Sequence, residues 1–106
     1  MTTARKPDHS GKLVIAGPVH IDPRQRRAFV DAHKDLITAA RAFRGCLDIA
    51  VTPDLVDPAR VYLFELWESD ERLQAWRAMA PVPVDVPPVV RDEVQLHRIS
   101  ASGSPF

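Results

Sequence analysis

The stretch "VYLFELW", residues 61–67, is apolar or aromatic at every position except Glu65. Its β-branched and aromatic content specifies a strand. Alternate side chains of a strand point to opposite faces. Val61, Leu63, Glu65 and Trp67 therefore share one face, and Tyr62, Phe64 and Leu66 share the other. A small antiparallel sheet commonly leaves one face to water, but this strand has no polar face. Both sides need a cover, and Glu65 needs a partner.

The same reading extends along the chain. "KLVIAGPVHI" (12–21) is a strand in which Gly17 and Pro18 mark a bulge or an edge. Asp22 as N-cap and Pro23 at the first helical position then open a helix, which Gly45 ends. Phe29, Leu36, Ile37, Ala40 and Phe43 fall on one stripe of it at helical spacing, and His33 lies inside that stripe. "CLDIAVT" (46–52) is a second strand, 53–59 a connection punctuated by Pro53 and Pro58, and 60–68 the third strand. Ser69 caps a second helix with Asp70 and Glu71 in its first turn. Leu73, Trp76 and Ala80 form its inner face, with Arg77 at the border. The four prolines of "PVPVDVPP" (81–88) stop it. "DEVQLHRIS" (92–100) is a fourth strand. Residues 1–11 are expected to be a disordered lead-in and 101–106 a loose tail around one domain, 12–100.

This order, β-α-β-β-α-β, predicts an α+β ferredoxin-like domain: a four-stranded antiparallel sheet with both helices on one face. The helices can cover only one side of residues 61–67. An apolar sheet face left open marks an interface, and a second copy packing sheet to sheet would close it.

Composition narrows the classes. The 106 residues carry 14 basic and 14 acidic side chains, a net charge of zero, with no basic stripe for nucleic acid. No apolar run reaches membrane-spanning length, so neither nucleic acid nor membrane is expected as a partner. The polar first twelve residues lack the apolar core of a signal peptide. Cys46, the single cysteine, cannot form an internal disulfide and suits a reducing compartment. A cytoplasmic location is expected.

The block "RGCLDIAVTPDLVDPARVYLFELWESDERLQAW" resembles the central part of antibiotic biosynthesis monooxygenase domains. The pieces that carry the likeness are Gly45-Cys46-Leu47, the strand ending Glu65-Leu66-Trp67-Glu68, and the Ser69-Asp70-Glu71 helix start followed by Leu73 and Trp76. The resemblance implies a dimeric α/β barrel, with a pocket in each subunit between the helices and the inner sheet face. Trp67 matches the strand tryptophan that lines this pocket. A haem-degrading branch of the scaffold uses a strand asparagine and a helix histidine. Here Ala16 stands at the asparagine position, and no histidine follows Trp76 in "RAMAPVPVDVPP". No haem, metal or other cofactor is expected, and the histidines show no ligand spacing. Relatives that are monooxygenases also continue the second helix, often with a histidine, where this chain has prolines.

In a cofactor-free oxygenation the substrate supplies the electrons and the protein a base. Imidazole is a base near neutral pH, and His33, ringed by Phe29, Leu36, Ile37 and Ala40, is the candidate. A buried histidine hydrogen-bonded to a neighbour is its bland alternative. Glu65, on the face of Trp67, is the second candidate for proton transfer, or else a structural partner of Arg77 or His33. Trp67 and Trp76 suit stacking on a flat aromatic ligand or ordinary core packing. With Phe29, Ile37 and Arg77 around them, and only Ala16 on the first strand, they leave room for a planar molecule. Two functions follow: a cofactor-independent monooxygenase of a polycyclic phenol, anthrone or quinol, or a non-catalytic dimeric small-molecule-binding or accessory domain, which the missing helix histidine favours. On either, Tyr62, Phe64 and Leu66 are covered in a homodimer. Sedimentation at micromolar concentration is expected to give twice the 11.8 kDa chain mass; a monomer alone would refute the pairing.

Overall fold

The computed structural model describes residues 11–106. It has an α+β architecture of one antiparallel sheet with helices on one side. Strand β1 (Leu13–His20) leads into a 3₁₀ turn (Pro23–Gln25), helix α1 (Arg26–Asp31) and helix α2 (Lys34–Arg41). Strands β2 (Cys46–Pro53) and β3 (Arg60–Trp67), helix α3 (Asp70–Met79), and strands β4 (Arg91–Asp92) and β5 (Gln95–Arg98) complete it. The sheet order is β2-β3-β1-β4, with β5 also on β1. β4 and β5 are thus two pieces of the expected fourth strand, and the ferredoxin-like plan holds. Residues 1–10 of the expected lead-in lie outside the described residues, and 101–106 carry no regular secondary structure.

The break between β4 and β5 falls beside Gly17 and Pro18. Gly17 has φ of 150°, and a Cβ there would meet the Glu93 carbonyl and the Val94 backbone. β1 is central, flanked by β3 and by β4 with β5, and its register runs unshifted through Gly17-Pro18 on both sides, so the pair marks neither an edge nor a bulge but the gap between β4 and β5. Pro18 keeps its carbonyl for the Glu93 N–H, at 3.0 Å. β2 has its own irregularity. The register on β3 jumps from Cys46↔Trp67 to Asp48↔Leu66, leaving Leu47 unpaired. One inserted residue reverses the alternation, so Ile49 and Val51, opposite Glu65 and Leu63, face the helices.

Both expected N-caps form. Asp22 accepts the Arg24 N–H at 2.9 Å and Ser69 that of Arg72 at 3.2 Å. The first long helix, however, is broken at Ala32–His33 and ends at Arg41, before Gly45. Gly45, with φ of 103°, turns the chain into β2, and its carbonyl accepts the Glu68 N–H at 2.8 Å.

Two clusters form the core. The first joins Leu13, Ile15, Ala40, Ile49, Trp67, Leu73 and Trp76; the second joins Val19, Ile21, Phe29 and Val61. Both lie under the helices, so β3 turns Val61 and Trp67 inward as alternation requires. On the opposite face Tyr62 is exposed, and Phe64 and Leu66 are half-buried.

The β2–β3 loop is held by a carboxylate. Asp54 accepts the N–H groups of Val56 and Asp57 at 2.9 and 2.7 Å and the Arg60 guanidinium at 2.7 Å. Chiefly the Asp57 and Val56 amides, and then Arg60, lower its carboxyl from 3.8 to about 2. A carboxyl depressed on folding stabilises the fold above its unfolded pKa and loses that contribution as pH falls through the folded one. Asp54→Asn is expected to lower the Tm at pH 7 and to shrink the further loss between pH 4 and pH 2. Circular-dichroism melts of both proteins test this; parallel losses would contradict it.

Candidate active site

A helix break builds the site. In a continuous helix the His33 amide would donate to the Phe29 carbonyl, four residues back. Here that carbonyl faces the His33 ring, with Nδ1 2.8 Å away, while the His33 N–H donates to Val30 at 3.1 Å. The imidazole has displaced its own amide and tightened one turn. His33 also packs on the Phe29 ring, centroids 4.6 Å apart. A carbonyl only accepts, so Nδ1 carries the hydrogen, and in the neutral ring Nε2 is left with the basic lone pair.

His33 lines a cavity of about 270 Å³ together with Glu65. The walls are Leu36 from α2, Ile49 and Val51 from β2, and Leu63 from β3; Ala50, Phe64 and Pro83 complete the lining. Ile49 is part of the first core cluster and Leu36 packs on it, whereas Val51 and Leu63 pack on the second. The cavity thus lies at the seam between the clusters. Apolar walls with a few polar groups are usual for a small-molecule site.

Glu65 has a partner that the sequence analysis did not name. Its Oε1 accepts the indole N–H of Trp67 at 2.8 Å, so neither Arg77 nor His33 is its hydrogen-bonding partner. Trp67 is fully buried, and its indole N–H requires an acceptor. The two residues stand two apart on one strand face, which brings the carboxylate over the indole.

The remaining candidates lie elsewhere. Trp67 and Trp76, centroids 6.1 Å apart, pack with Phe43 in the first cluster and do not line the cavity. Phe29 is buried in the second cluster beneath His33. Ile37 packs on the first cluster and borders a separate surface groove. Arg77 is exposed on α3 and does not reach the cavity lining. Ala16 pairs with Phe64 and shares its face, away from the helices, because strand alternation puts Ile15, not Ala16, inward. Sequence reasoning assigned Leu36 and Leu63 to apolar faces without naming them as lining. It missed Ile49 and Val51, whose facing depends on the bulge at Leu47, and Pro83, which no periodicity reports. Among the described residues no group of three or more His, Cys, Asp or Glu is placed to hold a metal ion. The Cys46 thiol is pushed up by burial and then by the nearby Glu65 charge, which keeps it protonated and unreactive. Among the described residues no helix is long and apolar enough to cross a membrane.

An antiparallel sheet with its helices on one face defines the class: a small ferredoxin-like α+β domain. The model of the family described as antibiotic biosynthesis monooxygenase matches residues 13–82. The chain belongs to that family. Its fold is similar to a proposed antibiotic biosynthesis monooxygenase from Chloroflexus aurantiacus, at 24% identity and TM-score 0.70, covering 89% of this chain and 97% of that one. It is similar also to a protein from Shewanella oneidensis, at 18% identity and TM-score 0.73, covering 87% and 93%. A third likeness is to a proposed antibiotic biosynthesis monooxygenase from Nitrosomonas europaea, at 14% identity and TM-score 0.68, covering 82% and 88%. At these identities the structures establish a shared fold. No curated protein matches the chain.

Removing the acceptor of a buried N–H leaves it unsatisfied, which destabilises by about 1–3 kcal/mol. Glu65→Leu is expected to lose about that much in urea unfolding, and Glu65→Gln, which keeps an acceptor oxygen, clearly less. Equal losses would show that the Trp67 bond does not matter to stability.

Proposed function

We propose that the cavity binds a polycyclic phenol, anthrone or quinol and that the protein oxygenates it without a cofactor. The observation that carries this reading is the meeting of His33 and Glu65 on one mainly apolar cavity. The Phe29 carbonyl holds Nδ1–H and leaves Nε2 to act as base. Family membership supports an oxygenation over other uses of the same groups.

In this reading the substrate enters with its ring between the apolar walls. Nε2 takes the proton of a phenol or of an acidic ring C–H, and the electron-rich anion passes one electron to molecular oxygen. The two radicals combine into a peroxide anion at a ring carbon, and the protonated His33 returns its proton to give the hydroperoxide. For an anthrone methylene, loss of water from that hydroperoxide leaves a carbonyl. The balance is one CH₂ and one O₂ to one C=O and one H₂O, with all four electrons drawn from the substrate. Glu65, with Oε1 engaged by Trp67, accepts a substrate hydroxyl through its other oxygen and orients the ring. Apolar walls exclude water from the anion. A second copy covers Tyr62, Phe64 and Leu66 on the far side of the sheet.

Oxygen uptake with a panel of anthrones and hydroquinones, using protein freed of metal and flavin, tests the proposal. The wild type is expected to consume one O₂ per anthrone converted. His33→Ala is expected to lose about 10²–10⁴-fold, the usual worth of a general base. Ligand binding with no uptake by the wild type would overturn the oxygenase reading in favour of a binding or accessory domain. Full activity in His33→Ala would remove His33 as the base.

A further inference from the structure

A second hollow adjoins the cavity at the junction of α2 and β2. It is a surface groove of about 480 Å³, bordered by Lys34, Thr38 and Arg41 from α2 and by Thr52 from β2. Ala50 and Val51 line both the groove and the cavity. The cavity takes the side of α2 that carries His33 and Leu36, and the groove takes the side that carries Lys34 and Arg41.

We propose that this groove is a carboxylate-binding subsite for an acidic side arm of the aromatic ligand, with Lys34 its specificity-determining residue. This rests on the small-molecule reading of the cavity given above. It adds that the polycyclic phenol, anthrone or quinol is an anion, with its rings in the cavity and its charge in the groove.

Unbalanced charge carries the assignment. Residues 34, 38 and 41 are four and then three apart, so α2 presents all three side chains on one face. Arg41 donates through Nε and Nη2 to the Ile49 carbonyl, at 3.2 and 2.8 Å. A carbonyl carries no net charge, so the guanidinium is pinned with its positive charge intact. Lys34 is exposed and forms an ion pair with no carboxylate among the described residues. Asp31, the one carboxylate on the groove lining, is engaged by Arg27 at 3.2 Å. Two cations without a counter-ion thus border one hollow. Lys34 also stands in the first turn of α2, where positive charge opposes the helix dipole. A bound anion offsets that repulsion. The flexible stem of Lys34 lets its ammonium meet the carboxylate, and Arg41 is a fixed charge that strengthens the field around it.

The test is titration calorimetry with two redox-stable naphthols that carry a carboxylate on arms of different length, 6-hydroxy-2-naphthoic acid and 6-hydroxy-2-naphthylacetic acid, each against its neutral methyl ester. The wild type is expected to bind at least one acid about three- to tenfold more tightly than its ester, the worth of one or two exposed ion pairs. That preference runs against the order of hydrophobicity, and it is expected to shrink toward parity as sodium chloride rises from about 20 mM to about 500 mM. Lys34→Gln is expected to lose most of the acid-to-ester ratio and Arg41→Gln part of it, whereas Arg77→Gln, on α3, keeps it. If Lys34→Gln fails to fold in a thermal melt, the Arg41→Gln ratio decides. Esters bound as tightly as both acids overturn the subsite and leave the cavity reading standing. So does a ratio unchanged in the folded groove variants, or one that falls equally in Arg77→Gln. A wild type that binds neither acid nor ester overturns the cavity reading and the subsite with it.

Discussion

A fully buried indole must have its N–H satisfied, and in this chain Glu65 does so for Trp67. Much else follows from that bond. It lets the face of β3 that carries both Glu65 and Trp67 be the one that meets the helices, because the buried indole N–H finds its acceptor on the same face. It keeps Trp67 anchored among Phe43, Trp76 and Leu73 in the first core cluster. It also gives the half-buried Glu65 carboxylate, which lines the cavity, a hydrogen-bond donor. Burying an unpartnered carboxylate would be far costlier than burying one that accepts a hydrogen bond.

The cavity is a product of two interruptions. The core divides into two clusters along β1 and β3, and the helix that covers it breaks where His33 bonds back to Phe29. A continuous helix would lay a uniform apolar stripe over the seam. The break turns one imidazole into the gap and shortens the helix on either side. The prolines after α3 then close the gap from above. Each of these features weakens a regular element, and together they leave a hollow with an imidazole on its wall. Local departures from ideal structure concentrate at functional sites for this reason.

The parts of the fold that were legible in sequence are those governed by local rules. Asp22 and Ser69 declare helix starts through their side-chain oxygens, and strand alternation set the facing of β3, hence of Trp67 and Glu65. His33 and Glu65 could be brought together because helical and strand periods each point inward. What was not legible depends on single exceptions to those periods. The bulge at Leu47 turns Ile49 and Val51 inward, and nothing in "CLDIAVT" marks the extra residue. The break at His33 contains neither glycine nor proline; it arises from a side-chain bond that only a ring nitrogen one turn away can make. Ala16 was assigned by likeness rather than by parity, and parity puts it on the other face. The tryptophans looked suited to a ligand because aromatic residues serve cores and sites alike, and here the core claimed both.

The bulge at Leu47 and the split between β4 and β5 share a further consequence. β2 is one margin of the sheet, and β4 with β5 is the other. A margin of unpaired amides and carbonyls invites another chain to continue the ladder, and natural sheets blunt such margins with bulges, prolines and charges. Here one margin is kinked at Leu47, carries Asp48 and ends at Pro53; the other is cut in two at Glu93–Val94. Neither offers an uninterrupted ribbon for growth. The chain is thereby guarded against open-ended growth of the ladder along either margin.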